Sequence, residues 1–197
     1  SKFVAASTVD SLVSSLRGLT YKEVKEITTL CTSKYGEFTS SSIRKARNYY
    51  YKPAEGLQEI SLAKEFYVPN NGVEDWLSLD GTFFASKAHP DLRPKGLLLL
   101  GESGCGKTSG VRHIASQLKV PLLRLDLPSL MSKWSGEADR NLRTCLAQAE
   151  QMAPCVLLID EAEKIFGAED DGITSRLLSM ILWWMQEHNS DVLTILT

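Results

Sequence analysis

Apolar residues in the second half of the chain fall into two kinds of pattern. Continuous apolar runs, which are typical of strands buried on both faces of a sheet, occupy residues 97–100 and 156–159, and the mostly apolar segments 122–127 and 192–197 are predicted as strands as well. Between these runs, apolar residues recur every three or four positions, which predicts helices directly after residue 107, over about 137–152 and over about 172–188. Strands that alternate with helices predict an α/β fold with a doubly wound, mostly parallel sheet.

The first part of the chain has a different pattern, with helical spacing and no continuous apolar run. Two or three short helices are predicted between residues 8 and 53, one of them started by a capping box of Thr20 and Glu23 and stopped near Gly36. Residues 54–95 read as a mixed connector that carries a helix around Trp76 and belongs with the sheet. We therefore expect a helical region at 1–53 and an α/β domain at 54–197.

Composition excludes several classes of protein. The chain has 197 residues, is 43% hydrophobic and carries a net charge of −2, which argues against coating nucleic acid through overall charge. It has no run of eighteen apolar residues, so we expect no membrane span. The four cysteines form no C-x-x-C pair and the three histidines are isolated, so free thiols in a reducing compartment are expected and a structural metal site is not.

A glycine-rich segment directly follows the first apolar run. Residues 101–108 fit the pattern G-x-x-x-x-G-K-S/T, in which backbone N–H groups surround the phosphates of a nucleotide. Lys107 is expected to reach the terminal phosphates, and the Thr108 hydroxyl to bind Mg²⁺. The alternative is a glycine turn that matches by chance. The predicted nucleotide-binding residues are Gly101, Glu102, Ser103, Gly104, Cys105, Gly106, Lys107, Thr108 and Ser109.

A second motif ends the apolar run at 156–159, where Asp160 and Glu161 follow the predicted strand in the manner of a Walker B motif. Asp160 is expected to hold Mg²⁺ and Glu161 to polarise the attacking water. The alternative is a solvated acidic turn. Because the carboxyl ends of parallel strands meet at one edge of a sheet, both motifs belong to one site, with Glu161, Asp160 and Lys107 as its catalytic residues.

Three aromatic segments have open interpretations. Arg44, Lys45 and Arg47 lie beside tyrosines and would suit nucleic acid, although a basic helix face with half-buried tyrosines is the stronger alternative. Trp134, next to Lys133, is either packed over the sheet edge or a gripping residue on a loop from 130 to 137. Trp183 and Trp184 cannot both face the core of one helix.

Residues 95–197 resemble the AAA class of the AAA+ ATPases, and with it the large α/β subdomain of the P-loop NTPase fold. The shared features, in the order of that class, are the phosphate loop, a Lys-Trp-Ser-Gly loop at 133–136, a helix with Glu137, Arg140, Arg143, Ala149, Glu150, Ala153 and Pro154, and the pair Asp160 and Glu161. The chain is similar in finer detail to an AAA group of cyanobacteria and plastids, in segments 16–20, 76–77, 94–96, 121–126 and 153–156.

The resemblance implies ATP as the nucleotide, a ring of subunits, usually a hexamer, and a loop at Lys133 and Trp134 that faces a central pore. Ser135 departs from the apolar residue usual after the aromatic one, which weakens the case for gripping a polypeptide. The polar sensor, the arginine finger and the C-terminal helical lid of the class are expected beyond Thr197, so we expect the chain to be cut short after the sensor strand. We therefore expect it to bind ATP but to hydrolyse it poorly.

Three functional hypotheses remain open at this stage. The leading one is a Mg²⁺-dependent ATPase that remodels a protein or complex through a homo-oligomeric ring in the cytoplasm, the plastid stroma or another reducing, soluble compartment. The second is an ATP-gated interaction module with slow turnover. The third is a DNA-linked AAA+ factor that uses Arg44, Lys45 and Arg47; a small-molecule kinase is disfavoured because no acceptor pocket is evident.

Overall fold

The chain divides into two compact units, residues 1–53 and 54–197. The computed structural model describes residues 9, 12–13, 15–16, 19–50, 54–62, 67–68, 70–85, 92–131, 135–162 and 172–197. None of the helices within these ranges is long and apolar enough to cross a membrane.

The N-terminal unit is helical. It contains α1 (Tyr21–Leu30), a π-helical turn (Cys31–Tyr35) and α2 (Ser40–Tyr50). The predicted capping box is confirmed, since the Thr20 side chain accepts from the Glu23 N–H and the Glu23 carboxylate accepts from the Thr20 N–H. The predicted stop at Gly36 is also confirmed: this residue has a φ of 67°, in the left-handed region that glycine tolerates best. Among the described residues of this unit, the buried apolar side chains that form its core are Ile27, Cys31, Ile43 and Ala46.

The second unit contains a five-stranded sheet. Its strands are β1 (Leu57–Ile60), β2 (Gly96–Leu98), β3 (Leu122–Leu125), β4 (Cys155–Ile159) and β5 (Val192–Leu196). Their order across the sheet is β1-β3-β4-β5-β2. The pairs β3–β4, β4–β5 and β5–β2 are parallel, and β1 runs antiparallel to β3. The carboxyl ends of β2, β3, β4 and β5 therefore lie at the same edge.

Helices cover both faces of this sheet. They are α3 (Asn71–Ser78), α4 (Asp80–Ala85), α5 (Lys107–Leu118), α6 (Leu127–Met131), α7 (Ser135–Gln151) and α8 (Gly172–Glu187). One apolar cluster joins Leu157 and Ile159 to α7 and α8, and the other joins Val156 and Leu158 to α5. Because alternate residues of β4 point to opposite faces, the strand is buried along its whole length. The predicted doubly wound α/β fold is confirmed.

Two details of the predicted fold are wrong. The connector at 54–95 contains a strand, β1, which sequence reasoning missed because four residues are too few to show a clear alternation. Residues 127–131 form the helix α6, although residues 122–127 were predicted as strand and 130–137 as loop. Leu127 and Leu130 explain the helix, since both side chains are buried in the core beneath it.

The tryptophan pair at the end of α8 behaves as predicted. Trp184 is 7% exposed and packs in the core, whereas Trp183 is 62% exposed. The indole N–H of Trp184 donates to the Glu150 carboxylate on α7, which ties the two helices together. Neighbouring residues on a helix point about 100° apart, which is why only one of the two rings reaches the core.

Candidate functional site

The glycine-rich loop joins the end of β2 to the start of α5. The ladder continues one residue past β2, because the Leu99 N–H donates to the Leu196 carbonyl at 2.9 Å. Gly104 and Gly106 have φ values of 80° and 89°, and a Cβ added at either glycine would meet nothing within 4 Å. These two positions favour glycine for its backbone conformation rather than for lack of space. The loop thus turns sharply into the N-terminus of α5, where backbone N–H groups and the helix dipole favour anions.

Lys107, the first residue of α5, reaches back over this loop. Its Nζ donates to the carbonyl oxygens of Gly101 at 2.8 Å and of Glu102 at 3.1 Å. Residues 101–106 are exposed, and residues 107–109 are half-buried at the start of the helix. The ammonium group is therefore held over an exposed turn by two main-chain contacts.

Asp160 stands directly after the buried strand β4, at the same edge of the sheet. Its Oδ1 accepts from the Thr197 hydroxyl at 2.7 Å and from the Glu161 N–H at 3.1 Å. Its Oδ2 lies 3.4 Å from Nη2 of Arg124 on β3. The carboxylate is thus oriented by groups from the ends of three neighbouring strands.

Glu161 has an unusual backbone conformation for a residue with a side chain. Its φ is 57°, in the left-handed region, where a residue other than glycine or asparagine is uncommon. Holding such a residue there costs on the order of 1–3 kcal/mol, and such strain recurs at functional sites. The turn is kept in place by β5, because the Thr197 N–H donates to the Ile159 carbonyl at 3.1 Å and its carbonyl accepts from the Ala162 N–H at 3.0 Å.

A polar cluster supports the outer face of α5. Nε2 of His113 lies 2.8 Å from Oε1 of Glu74 on α3. The Tyr67 ring stacks on the His113 ring with 4.4 Å between their centroids. Gly110, one turn earlier on the helix, lies beside the same tyrosine, since a Cβ there would be 3.7 Å from its hydroxyl oxygen. These contacts anchor the helix whose N-terminus forms the anion-binding turn.

Comparison with known families places this site in context. A model of the "ATPase family associated with various cellular activities (AAA)" matches residues 97–197, slightly more than half of the 197 residues. The chain belongs to the AAA family of ATPases. The matched part contains β2 to β5, and with them both the glycine-rich loop and the acidic pair.

Among AAA relatives, algal proteins match almost the whole chain. The ycf46 AAA domain-containing protein of Guillardia theta is 29% identical over 204 residues, which covers 96% of this chain and 40% of that protein. The ycf46 protein of Gracilaria tenuistipitata var. liui is 30% identical over 202 residues, covering 94% of this chain and 40% of the relative. The predicted likeness to the AAA group of cyanobacteria and plastids is therefore confirmed. The chain spans about two fifths of the length of these relatives.

Other AAA relatives match about half of the chain. The ribosome biogenesis ATPase RIX7 of Saccharomyces cerevisiae is 36% identical over 98 residues, which covers 48% of this chain and 12% of that protein. The cell division cycle protein 48 homolog of Archaeoglobus fulgidus is 33% identical over 114 residues, covering 56% of this chain and 15% of the relative.

Three residue predictions have different outcomes. Lys133 and Trp134 lie outside the described residues, so their place on a pore loop stays a prediction. The prediction that Arg47 contacts nucleic acid is wrong, because Arg47 is 8% exposed and its Nη1 donates to the Ser15 carbonyl at 2.8 Å. Lys45 is exposed and stays a prediction, and the side chain of Arg44 lies outside the described part of the chain.

Sequence reasoning missed two residues that contact the acidic motif, Arg124 and Thr197. A signal for Arg124 was present, since it is the single charged residue of the strand Leu-Leu-Arg-Leu at 122–125. A charge in an otherwise apolar strand needs a partner, and the end of the adjacent parallel strand was the place to look for it. No comparable signal marks Thr197, because threonine is an ordinary residue in a strand.

Proposed function

We propose that this chain binds ATP with Mg²⁺ at the carboxyl edge of its sheet and hydrolyses it. The observation that carries the proposal is the placement of two motifs. The glycine-rich loop follows β2 and the acidic pair follows β4, and the two strands are joined in parallel through β5. A phosphate-binding turn and a pair of carboxylates at one sheet edge are the parts that nucleotide hydrolysis requires.

The residues present fit a magnesium nucleotide. Residues 101–109 surround the phosphates through backbone N–H groups, and Lys107 exchanges its contacts with the Gly101 and Glu102 carbonyls for phosphate oxygens. The Thr108 hydroxyl and the Asp160 carboxylate are the oxygen donors that Mg²⁺ prefers. When bound, the ion neutralises charge on the terminal phosphates.

Glu161 is the residue that we propose to orient and activate the attacking water. The buried strand β4 delivers it to the sheet edge, where its side chain is exposed on a backbone held in the left-handed region. Asp160, held by Thr197 and Arg124, stays beside it as an oriented acceptor. The two neighbouring carboxylates thus have separate roles, one toward the metal and the other toward water.

We further propose that the chain works in a homo-oligomeric ring, a hexamer as is usual for the class, that remodels a protein or macromolecular complex. Support comes from relatives whose names describe ribosome biogenesis and cell division cycle ATPases. Lys133 and Trp134 would then contact the substrate in the pore. The algal plastid relatives support the plastid stroma or another reducing, soluble compartment as the place of action.

The test is steady-state ATP hydrolysis by the full chain with Mg²⁺ across a wide range of protein concentration. ATP binding is measured in parallel with a fluorescent nucleotide. Lys107→Ala should abolish binding, whereas Glu161→Gln should keep binding and lose turnover by two or more orders of magnitude. Normal turnover in both variants would refute the site.

Specific activity that rises with protein concentration would support subunits that complete each other's sites. Tight ATP binding without turnover at every concentration would be expected both if catalysis needs further groups, such as an arginine finger, and for the ATP-gated interaction module, in which nucleotide orders a binding surface. Chromatography of the Glu161→Gln variant with and without ATP separates these outcomes, because only the ring proposal expects a defined large oligomer with nucleotide.

A further inference from the structure

Arg124 is a charged residue inside the sheet. Its neighbours on β3, Leu122, Leu123 and Leu125, are at most 1% exposed. The side chain of Arg124 is 43% exposed, because it runs toward the carboxyl edge, where its Nη2 lies 3.4 Å from Asp160 Oδ2. The register explains the contact: Arg124 is paired with Leu158 of β4, and Asp160 follows two residues later on the same face.

The two oxygens of Asp160 have different partners. Oδ1 accepts from the Thr197 hydroxyl and from the Glu161 N–H. Oδ2 faces the guanidinium of Arg124. The orientation of the carboxylate is therefore secured through Oδ1, and Arg124 contributes mainly a positive charge at the other oxygen.

A second nitrogen of the Arg124 guanidinium group is placed unfavourably. Nε of Arg124 is buried and has no hydrogen-bond partner among the described residues. A buried donor without a partner costs on the order of 1–3 kcal/mol. Arg124 thus lowers the stability of the folded chain at this position of the strand. Its contact with Asp160 is the feature that offers a reason for its presence there.

We propose that Arg124 is a charge-balancing residue for Asp160, which neutralises this carboxylate when no nucleotide is bound and so weakens nucleotide-independent binding of divalent cations. The inference rests on the proposed function, in which Asp160 holds Mg²⁺. A divalent cation that binds without nucleotide meets an Asp160 carboxylate whose charge the guanidinium already neutralises. A divalent cation that binds together with ATP is also attracted by the negative charge of the phosphate oxygens.

The size of the effect follows from electrostatics at a solvent-exposed edge. A single positive charge about 6–8 Å from a divalent ion in a high-dielectric setting, with the carboxylate between them, changes its binding constant by about five- to tenfold. Removing the charge of Arg124 should therefore tighten the binding of the bare ion by that factor. With ATP present the gain should shrink, because the phosphates already attract the ion.

The experiment measures Mn²⁺ binding to the full chain without nucleotide, by the loss of the electron paramagnetic resonance signal of free Mn²⁺. Arg124→Met keeps an unbranched apolar stem and removes the charge, and it should bind Mn²⁺ about five- to tenfold more tightly than the wild type. Arg124→Lys keeps the charge and should stay within about twofold of the wild type. Unchanged or weaker binding in Arg124→Met would overturn the proposal, as would equal gains in both variants.

Two controls separate this inference from the proposed function. Asp160→Asn in the Arg124→Met background should remove the gain in Mn²⁺ affinity, and a gain that survives would overturn the proposal by placing the ion elsewhere. Asp160→Asn alone should weaken the binding of Mn²⁺ with ATP. If it does so while Arg124→Met has no effect, this inference fails and the proposed function stands. Urea unfolding of each variant confirms that the compared proteins are folded.

Discussion

The Thr197 hydroxyl donates a 2.7 Å hydrogen bond to Oδ1 of Asp160, joining the ends of the adjacent parallel strands β5 and β4. The same threonine holds the acidic turn through its main chain, with one bond to Ile159 and one from Ala162. The position of the carboxylate is therefore set by a neighbouring strand and not by the turn alone.

Thr197→Val should lower the free energy of unfolding by about 1.5–3 kcal/mol, because it removes a hydrogen bond to a charged acceptor at a buried position. Thr197 is 6% exposed, so water cannot easily replace the lost hydroxyl. Thr197→Ser keeps the hydroxyl and should preserve the effect of the bond on Asp160. Urea unfolding of both variants in a cycle with Asp160→Ala measures the coupling, and a coupling near zero would show that the bond contributes nothing.

Gly56 and Gly104 offer a matched pair of substitutions. Both have positive φ, 96° and 80°, but a Cβ at Gly56 would lie 2.6 Å from Cδ2 of the buried Leu130, whereas a Cβ at Gly104 would meet nothing within 4 Å. Gly104→Ala should cost about 1 kcal/mol of backbone strain. Gly56→Ala should cost at least about 2 kcal/mol, since overpacking adds to the strain. Equal losses in urea unfolding would contradict the packing argument.

The thiols of Cys105 and Cys145 should react at very different rates. Burial raises the pKa of Cys145 to about 11, and the side chain is fully buried. At pH 8 roughly one Cys145 in a thousand is therefore a thiolate, the form that attacks alkylating reagents. Cys105 is exposed in the phosphate loop.

Iodoacetamide should thus modify Cys105 first, and peptide mass spectrometry identifies the site. Cys105→Ser should remove the fast phase of alkylation and leave Cys145 unmodified in the folded chain. ATP with Mg²⁺ should slow the fast phase by covering the loop. Early labelling of Cys145 would contradict the burial argument.

His188 should make the fold less stable at acidic pH. Burial lowers the pKa of His188 from its ordinary value of 6.5, and the charge of Lys95 acts in the same direction. The folded state thus favours the neutral ring, which stacks on Trp184 with 4.3 Å between centroids. The stability that the neutral His188 ring gives the folded state is fully present above pH 6.5. This stability is lost as the pH falls below that value, because the unfolded chain binds the proton more readily.

Unfolding free energies between pH 7.5 and 5.5 test this prediction. His188→Phe keeps an aromatic ring against Trp184 and removes the titrating group, so its stability should fall less than that of the wild type over the interval. An identical pH dependence in the two proteins would show that other groups are responsible.

Local pattern predicted most of the fold. The continuous run of β4 and the helical spacing of α5, α7 and α8 were visible because each depends on residues a few positions apart. The strand β1 was not predictable in this way, since Leu57 and Ile60 become a strand by pairing with β3. The helix α6 likewise depends on Leu127 and Leu130 reaching a core that other elements build.

The motifs predicted the chemistry of the site in the same local manner. Lys107 and Thr108 follow a loop whose conformation depends on its own glycines. Asp160 and Glu161 follow the end of their own strand. These features, together with the alternation of strands and helices, could be predicted because they arise from short-range backbone preferences and hydrophobic periodicity. The contacts of Arg124 and Thr197 with Asp160 could not be predicted in this way and are visible in the folded chain alone. These contacts depend on the register between strands far apart in the chain, which is set by the packing of the whole sheet.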